Sequence, residues 1–312
     1  MTVIVLAGGL SHERDVSLHS GRRVAQALRR QGLDVCEADV SVDLLGLLSD
    51  TPDPVVVPLL HGGLGENGAL AEVLQLLGVP YVGSHPRAAR NTFDKSLATP
   101  LLAAHGIATP RHISLPATIF RELGAPGVVA GIAKQFGFPL MVKPSSSGSA
   151  LGMTRVPSED ELPAAMVAAY AYGPNAVIEE FVEGTELAVT IIDAGEAAKA
   201  LPPVEIHPAS GVYDFEAKYT AGSTRFTIPP ELPDSVLERA KVLALRAHTM
   251  LGLSGISRID LIVSNGLPIF IEANVCPGMT ETSSAPLAMA AAGLDLGEVY
   301  VSLIKAAQAK AA

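Results

Sequence analysis

A chain of 312 residues is long enough for two or three domains with well-filled cores. Hydrophobic residues make up 48% of the chain but aromatic residues only 4%, so small aliphatic side chains must fill the cores, as in α/β proteins with buried strands. A formal net charge of −10 argues against a nucleic-acid partner, whose binding needs a basic face, but it leaves nucleotides possible.

The cysteines and the N-terminal sequence indicate a protein of the cytoplasm. Cys36 and Cys276 are too few and too far apart to predict a disulfide framework. The N-terminal sequence MTVIVLAGGLSHER has no basic segment before its apolar run, so we expect no signal peptide. We also expect no membrane partner, because no uncharged apolar stretch reaches the roughly 18 residues that a span needs.

Residues 1–93 alternate between strand and helix patterns. TVIVLAG, LDVCEADV, PDPVVVPLL and VPYVG predict strands, whereas VSLHSGRRVAQALRRQG and ALAEVLQLLG predict helices. This alternation predicts a Rossmann-like parallel sheet with helices on its faces. Ligands of such sheets bind at loops after the carboxyl ends of the strands, here residues 8–15 and 61–68.

A second unit is predicted over residues 94–183. The helical pattern at its start carries Pro100, which predicts a kink there or a new helix that begins with this proline. After the strand HISL we expect a loop over 116–128, a helix around 128–136 and the strand FPLMVK. The segment SSSGSALG after Lys143 predicts a loop that can fold over phosphates, with an ordinary hairpin turn as the alternative.

A third unit is predicted over residues 184–312. It contains the strand ELAVTIID, the loop AKYTAGSTRFTIPPEL, the long helix SVLERAKVLALRAHTMLG, a hairpin over 258–274 and the final helix EVYVSLIKAAQAK. The three units together predict a three-domain α/β (α+β) protein.

The hairpin contains four polar side chains between apolar segments. A three-residue loop with Gly266 in the left-handed conformation would place Arg258 opposite Glu272 and Asp260 opposite Phe270. In that register Arg258, Asp260, Glu272 and Asn274 share one face. The other face would carry only apolar residues: Ile259, Leu261, Val263, Leu267, Ile269, Ile271, Ala273 and Val275. A two-residue loop would split the polar set between the faces and is disfavoured for that reason.

The polar face of the hairpin has two interpretations. It could hold an Arg258–Glu272 ion pair beside a solvated Asp260, which is a purely structural arrangement. Alternatively, its carboxylate and amide oxygens could bind Mg²⁺ together with the phosphates of a substrate. No His or Cys lies on this face, so zinc is disfavoured.

Other charged residues near predicted loops are candidate ligands, each with a structural or solvent-facing alternative. Three lysines could meet phosphates, two glutamates flanking a turn could meet ribose hydroxyls, and three residues lie in strand-end loops of the first unit. These residues are, in the same order, Lys95, Lys143 and Lys218; Glu179 and Glu186; and Glu13, His61 and Glu66.

A series of motifs carries a more specific signal than any single residue. In chain order they are VLAGGLSHERDVSLHSG, LLHGGLGENG, YVGSHPRAARNTFDK, FPLMVKPSSSGSALGM, VIEEFVEGTE, YDFEAKY, and GISRIDL followed by IEANVCPGMTETSS. In this order and spacing they resemble the D-alanine–D-alanine ligases of the ATP-grasp superfamily over almost the whole chain. The resemblance implies an ATP-dependent ligase that forms D-alanyl-D-alanine through an acyl phosphate for peptidoglycan biosynthesis.

The resemblance also implies ATP and two Mg²⁺ ions as cofactors, with Mn²⁺ able to replace Mg²⁺, and a homodimeric assembly. Loops 145–152 and 216–230 would close over the phosphates. The implied ATP contacts are Lys95, Lys143, Ser149 and Lys218 for the phosphates, Glu179 and Val182 for adenine, and Glu186 for ribose. The implied metal ligands are Asp260, Glu272 and Asn274.

The two amino acids would bind near the loops of the first unit. Glu13, supported by Ser149 and Tyr219, would hold the ammonium of the first D-alanine, and His61 would lie beside it. Arg258 and the Gly278 N–H would stabilise the oxyanion. The carboxylate of the second substrate would bind Ser283, next to Ser284.

Several residues depart from the pattern of the family: Val275 and Cys276 after Asn274, Ser284 where Leu is frequent, Thr99 and Pro100 after Lys95, and Glu180 where Lys is frequent. The substrate could therefore differ from D-alanine, and an ATP-grasp amino-acid ligase of other specificity is the main alternative. A catalytically inactive nucleotide-binding protein is a third. A dinucleotide-dependent dehydrogenase is disfavoured, because AGGLSHERD lacks the GxGxxG spacing.

Overall fold

The strands of the protein form three sheets in the computed structural model, which describes residues 1–148, 150–209, 211, 213, 217 and 222–311. Three predicted site residues, Ser149, Lys218 and Tyr219, lie outside the described residues. The mixed α/β class predicted from the sequence is confirmed.

The first sheet is parallel, with strand order β2-β1-β3. Its elements are β1 (Thr2–Leu6), α1 (Arg14–Arg30), β2 (Val35–Ala38), α2 (Leu44–Asp50), β3 (Pro54–Pro58), α3 (Gly63–Glu66) and α4 (Ala69–Leu76). The predicted strand VPYVG contributes only one bridge, from Tyr81 to Val56. Pro58 has no N–H with which to continue that parallel ladder, so the expected strand does not extend.

The second sheet is antiparallel, with strand order β4-β7-β5-β6. The elements around it are α5 (Pro86–Phe93), α6 (Lys95–Ala104), β4 (His112–Pro116), α7 (Ala117–Leu123), α8 (Ala125–Phe136), β5 (Leu140–Pro144), β6 (Thr154–Val156), a 3₁₀ turn (Glu159–Glu161), α9 (Leu162–Tyr170) and β7 (Asn175–Glu180). Its core lies between the sheet and helices α8 and α9, where Ile132, Leu140 and Leu162 are buried.

Two expectations for this segment were wrong: that a new helix could begin at Pro100, and that residues 116–128 form a loop. The break between α5 and α6 falls at Asp94, whose carboxylate accepts the Ser96 N–H at 2.9 Å and caps α6, while Pro100 lies inside α6. The predicted loop 116–128 contains α7, because Gly124 (φ 82°) separates two helices rather than marking an irregular segment.

The third sheet is antiparallel, with strand order β11-β10-β8-β12-β13, and β9 pairs with β8. Its elements are β8 (Thr185–Asp193), β9 (Lys199–Ala200), β10 (Val204–Pro208), β11 (Thr224–Thr227), α10 (Asp234–Met250), β12 (Gly255–Ser264), β13 (Leu267–Asn274), α11 (Ser284–Ala291) and α12 (Leu296–Ala311). Helix α12 joins this unit to the first sheet, because Tyr300 and Leu303 share one core with Val5 and Val57.

The described residues contain no single helix that is long and apolar enough to span a membrane. Helices α11 and α12 satisfy that length and composition only as a pair, which is bent by 103°.

The hairpin β12–β13 does not have the predicted register. Its loop has two residues, Asn265 and Gly266, both with positive φ (50° and 74°), as a type I′ turn requires. Between Asp260 and Leu261 the pairing shifts by one residue, which is a β-bulge. Beyond the bulge, Asp260 is opposite Glu272.

The bulge explains why the polar residues still share a face. Arg258 pairs with Asn274 and Asp260 with Glu272, so all four side chains lie on the same side of the sheet, as predicted. The prediction that a two-residue loop would separate them was wrong, because it did not allow for a bulge. The predicted apolar face was wrong in part: Pro268 and Phe270 are buried there in place of Leu267, Ile269 and Ile271.

Candidate active site

Two cavities meet at the polar face of the hairpin. The first, about 400 Å³, lies between the second and third sheets, and we call it the inter-sheet cavity. The second, about 310 Å³, lies between the loops of the first sheet, helix α6 and the end of β13, and we call it the loop cavity. The residues that line both cavities are Tyr213, Ile271 and Glu272.

A buried ion pair, Lys143–Glu179, lines the inter-sheet cavity. The Lys143 ammonium on β5 contacts the Glu179 carboxylate on the neighbouring strand β7, and each side chain is 6% exposed. Both lie on a sheet whose other face packs on a core, so the pair points into the cavity. Val182 and Glu186 line the same cavity.

Two arginines, Arg155 and Arg111, contact residues that line the inter-sheet cavity. The guanidinium of Arg155 stacks 4.7 Å from the ring centre of Phe181. Arg111 donates to the Glu180 carboxylate at 2.9 Å, so Glu180 is held in an exposed ion pair at the cavity wall. Glu180 is one of the residues that depart from the family pattern.

The polar face of the hairpin forms the boundary between the cavities. Arg258 donates two hydrogen bonds of 2.7 Å to the two oxygens of Asp260, its neighbour along β12. Arg258 therefore pairs with Asp260, and not with Glu272 as the structural interpretation had it. The Lys95 ammonium lies 3.5 Å from Glu272 and donates to the Ser147 carbonyl at 3.0 Å.

Arg258 stays charged although it is buried. Burial lowers the pKa of Arg258, but the charge of Asp260 and the hydrogen bonds to it outweigh this effect and raise the pKa above its usual value. The site therefore keeps a fixed positive charge between the two cavities.

The donor atoms on this face fit a magnesium ion. Asp260 and Glu272 are directly opposite across the strands, where two carboxylates repel each other unless cations lie close by. The Asn274 amide oxygen accepts the Cys276 N–H at 2.8 Å, which leaves it a second lone pair. Among the described residues, no three His, Cys, Asp or Glu side chains could together hold a metal, so an ion here needs further oxygens from a ligand.

The loop cavity contains two buried carboxyl groups, Glu13 and Glu66, which are 7% and 6% exposed. Burial, and then the charge of Glu13, raises the pKa of Glu66 to about 8. Gly62 and Gly148 leave room for Glu13: a Cβ on either glycine would lie within 2.8 Å of a Glu13 oxygen. At neutral pH Glu66 is therefore mostly protonated.

His61 ties three segments together at the edge of the loop cavity. Its Nδ1–H donates to the Cys276 carbonyl at 2.9 Å, and the Ser20 hydroxyl lies 3.4 Å from Nε2. Ser20 also accepts the Met279 N–H at 2.9 Å. Burial lowers the pKa of His61, so the ring is neutral, with its proton on Nδ1.

The segment after β13 forms the remaining wall of the loop cavity. The Ser283 hydroxyl lies 2.8 Å from the Thr280 hydroxyl and accepts the Thr280 N–H at 3.2 Å. A Cβ on Gly278 would lie 2.8 Å from the Ser283 hydroxyl, so only glycine fits without a shift. Arg23 fixes this segment by donating to the Met279 and Thr280 carbonyls at 2.9 and 3.1 Å.

The predicted site residues that the structure describes all line the two cavities. Those of the inter-sheet cavity are Lys143, Glu179, Val182, Glu186, Asp260 and Glu272, and those of the loop cavity are Glu13, His61, Lys95, Arg258, Glu272, Asn274, Gly278, Ser283 and Ser284. Sequence reasoning missed Tyr213, which lines both cavities and whose pKa burial raises to about 12. Its place in the motif YDFEAKY was the available signal.

Comparison with known proteins decides the family. A model of the family described as "D-ala D-ala ligase C-terminus" matches residues 101–305. A D-alanine–D-alanine ligase from Desulforudis audaxviator is 39% identical over 305 residues, which cover 97% of each chain. The chain belongs to the D-alanine–D-alanine ligase family.

Solved structures of similar proteins agree with this family assignment. A D-alanine–D-alanine ligase from Bacillus anthracis, solved in complex with ATP, is 28% identical with a TM-score of 0.82, over 100% of this chain and 98% of that one. VanG, a D-Ala:D-Ser ligase from Enterococcus faecalis, is 26% identical with a TM-score of 0.84, over 98% of this chain and 99% of that one. The resemblance to D-alanine–D-alanine ligases seen in the sequence is confirmed.

Proposed function

We propose that the protein joins two D-alanine molecules into D-alanyl-D-alanine, with conversion of ATP to ADP and phosphate, in peptidoglycan biosynthesis. The meeting of the two cavities at Glu272 is the observation that carries this proposal. A nucleotide in one cavity and an amino acid in the other would bring a terminal phosphate next to a carboxylate. The full-length similarity to ligases of this name supports the choice of substrates.

The inter-sheet cavity is proposed as the ATP site. Its volume of about 400 Å³ suits a nucleotide, and the buried ammonium of Lys143 provides a charge for the phosphates. Glu179 and Val182 would contact adenine and Glu186 the ribose. Lys95 would meet the phosphates from the other side of Glu272, and Ser149 and Lys218 remain predictions for the same phosphates.

Asp260, Glu272 and Asn274 would hold two Mg²⁺ ions, which Mn²⁺ could replace. When bound, the ions would neutralise phosphate charge and make the terminal phosphorus more electrophilic. Arg258 already neutralises Asp260, and Lys95 lies beside Glu272. These two positive charges offset the repulsion between the opposed carboxylates of Asp260 and Glu272 before ATP binds.

The loop cavity is proposed as the amino-acid site. Glu13 would hold the ammonium of the first D-alanine, and a protonated Glu66 would avoid a second buried negative charge. The neutral His61 would orient the loop beside it. Tyr219 and Ser149 remain predicted supports of Glu13.

The reaction is proposed to have two steps. The carboxylate of the first D-alanine attacks the terminal phosphorus of ATP. The bond from that phosphorus to the bridging oxygen breaks, ADP leaves with the electron pair, and an acyl phosphate remains. The amine of the second D-alanine then attacks the acyl carbon, phosphate leaves and the amine loses a proton. Arg258 and the Gly278 N–H would stabilise the oxyanion of this second step, and Ser283 would hold the second carboxylate.

Closure over the cleft would protect the acyl phosphate from water. Loops 145–152 and 216–230 are the proposed closing segments. The same proposal includes a homodimeric assembly, a cytoplasmic location and a division into the domains 1–93, 94–183 and 184–312. The resemblance to the family supports these three points. Light scattering of the purified protein would measure its oligomeric state.

Phosphate release tests the proposed function. The protein is incubated with ATP, Mg²⁺ and a panel of D- and L-amino acids, and we expect turnover with D-alanine. Turnover only with another amino acid would support a ligase of different specificity, and turnover with none would support an inactive nucleotide-binding protein.

Two variants test the metal site. We expect Asp260→Asn and Glu272→Gln each to abolish turnover while the circular dichroism spectrum stays native. Glu298→Gln, on the exposed start of α12, is the matched control and should retain activity. Substantial turnover in both site variants would refute the metal assignment.

A further inference from the structure

Helix α1 presents one stripe of side chains to the segment that follows β13. Val16, Ser20 and Arg23 are four and three residues apart, so they lie on the same side of the helix. Residues 275–283 belong to no helix or strand, so their backbone N–H and C=O groups need partners in other elements. Helix α1 supplies several of these partners.

Arg23 holds two consecutive carbonyls of this segment. Its Nη1 donates to the Met279 carbonyl at 2.9 Å and to the Thr280 carbonyl at 3.1 Å. The Ser20 hydroxyl accepts the Met279 N–H at 2.9 Å, so both backbone polar groups of Met279 are bonded to α1. Met279 is fully buried, so solvent does not compete for these groups. A charged donor also makes stronger hydrogen bonds than a neutral one.

The residues on either side of Met279 face the loop cavity. Gly278 and Thr280 line it. Arg23 lines neither cavity, so it acts on a ligand only through the backbone that it holds. The Gly278 end is in contact with α1 as well, because a Cβ there would lie 3.9 Å from Val16 Cγ1.

The same helix begins beside another part of the loop cavity. Glu13, the residue directly before α1, is buried and lines this cavity. Because a helix is a rigid element, α1 fixes the position of Glu13 relative to the backbone of residues 278–280. In the proposed function Glu13 holds the ammonium of the first D-alanine, and the Gly278 N–H meets the oxyanion.

We propose that Arg23 is a positioning residue for the second chemical step. It holds residues 278–280 where the Gly278 N–H can meet the oxyanion that forms when the amine attacks the acyl phosphate. The inference rests on the proposed function and adds to it a residue that contacts no substrate. Without the Arg23 guanidinium, the Met279 and Thr280 carbonyls lose their donor and the segment can shift.

Loss of Arg23 should slow the second step and leave the first step nearly unchanged, because the Gly278 N–H acts only in the second. The acyl phosphate then persists long enough to return to ATP and D-alanine. In that return an oxygen of ADP attacks the phosphorus. The bond from phosphorus to the carboxylate oxygen breaks, and D-alanine leaves with the electron pair.

Positional isotope exchange measures how frequently the acyl phosphate returns. ATP carries oxygen-18 in the bridge between its β- and γ-phosphates, and rotation of the terminal phosphate of bound ADP followed by return moves the label out of the bridge. The full-length enzyme receives this ATP, Mg²⁺ and D-alanine. Phosphorus NMR gives the exchange rate, and mass spectrometry gives the rate of dipeptide formation. The measured quantity is the exchange rate divided by the dipeptide rate.

We expect Arg23→Met to raise this ratio by about tenfold to a hundredfold, because misplacement of a catalytic group by about 1 Å can cost about a hundredfold in rate. Arg23→Lys keeps a charged donor on a different side chain and should lie between Arg23→Met and the wild type. The ratio does not depend on the folded fraction, because both rates come from the same folded molecules.

Arg22 provides the matched control. It is the preceding residue of α1, it is exposed, and its side chain forms no hydrogen bond or ion pair with the residues that the structure describes. Arg22→Met removes the same charge from the same helix and should leave the ratio unchanged. An equal rise in Arg22→Met and Arg23→Met would overturn the inference, because the charge of α1 would then be the cause.

A ratio in Arg23→Met equal to that of the wild type would also overturn the inference, since a purely structural role lowers both rates together. If Arg23→Met does not fold, Ser20→Ala decides, because it removes the acceptor of the Met279 N–H and should raise the ratio as well. An unchanged ratio in Ser20→Ala would then overturn the inference. A wild-type enzyme that forms no D-alanyl-D-alanine would instead refute the proposed function, and this inference with it.

Discussion

Replacing Lys143 with methionine removes one half of the buried ion pair at the floor of the inter-sheet cavity. The partner carboxylate of Glu179 is then left with 6% of its side chain exposed and without its cation. Because a buried unpaired charge is poorly solvated, loss of one partner costs about 3–5 kcal/mol of the free energy of unfolding. We therefore expect a loss of that size in Lys143→Met.

Replacing both partners should restore most of this stability. In Lys143→Met/Glu179→Met no charge is buried, and apolar side chains of similar volume pack between β5 and β7. Such replacements are neutral or stabilising in other proteins, so we expect the double variant within about 1 kcal/mol of the wild type. ATP binding should be lost in both variants, because the proposed phosphate contact is absent from each.

The neighbouring pair Arg111–Glu180 provides a matched control, because Glu180 follows Glu179 on β7 and Arg111 directly precedes β4. Its side chains are 58% and 46% exposed, so Arg111→Met should cost no more than about 1 kcal/mol. Urea denaturation of the ligand-free protein, followed by circular dichroism, measures all three variants. If Lys143→Met costs no more than Arg111→Met, or the double variant is no more stable than Lys143→Met, the reasoning from burial is wrong.

Two further predictions concern the loop cavity and the loop that forms it. The pKa of Glu66 lies near 4.5 in the unfolded chain and near 8 in the folded protein, which therefore binds the proton more tightly. The free energy of unfolding should then fall as pH rises from about 4.5 to about 8. Urea denaturation at several pH values measures this fall, and Glu66→Gln should make it smaller. The same dependence on pH in the variant and the wild type would contradict the raised pKa of Glu66. Gly65→Ala should destabilise the protein by more than about 2 kcal/mol, since its Cβ would collide with the Leu60 carbonyl. Gly127→Ala in α8, with no atom within 4 Å of its Cβ, should be neutral or stabilising, and equal thermal shifts of the two variants would count against the collision.

Local sequence signals predicted most of the strands and helices. Continuous apolar runs located β1 and β3, which are buried on both faces, and alternating apolar residues located the hairpin. The local signals failed where the same residue type occurs in two kinds of structure. Gly124 separates two helices rather than marking a loop, and Pro100 lies inside a helix whose start is decided by the Asp94 cap.

The register of the hairpin shows a limit of such signals. The sequence predicted correctly that Arg258, Asp260, Glu272 and Asn274 share a face, but it did so through the wrong loop length. The structure uses a two-residue turn and one bulge. The bulge could not be predicted from the apolar pattern, because it depends on the packing of Phe270 and Leu261 against a core made by distant segments.

By itself the sequence determined the family, the order of most strands and helices, and the residue types available for chemistry. These follow from motifs whose members are close together in the chain, such as VIEEFVEGTE and RIDL. The tertiary structure decided which of those residues meet: Lys143 with Glu179, Arg258 with Asp260, and Lys95 with Glu272. It also decided which polar groups are buried and which of them lack a partner. Burial depends on contacts between segments far apart in the chain, and a local sequence pattern does not predict those contacts.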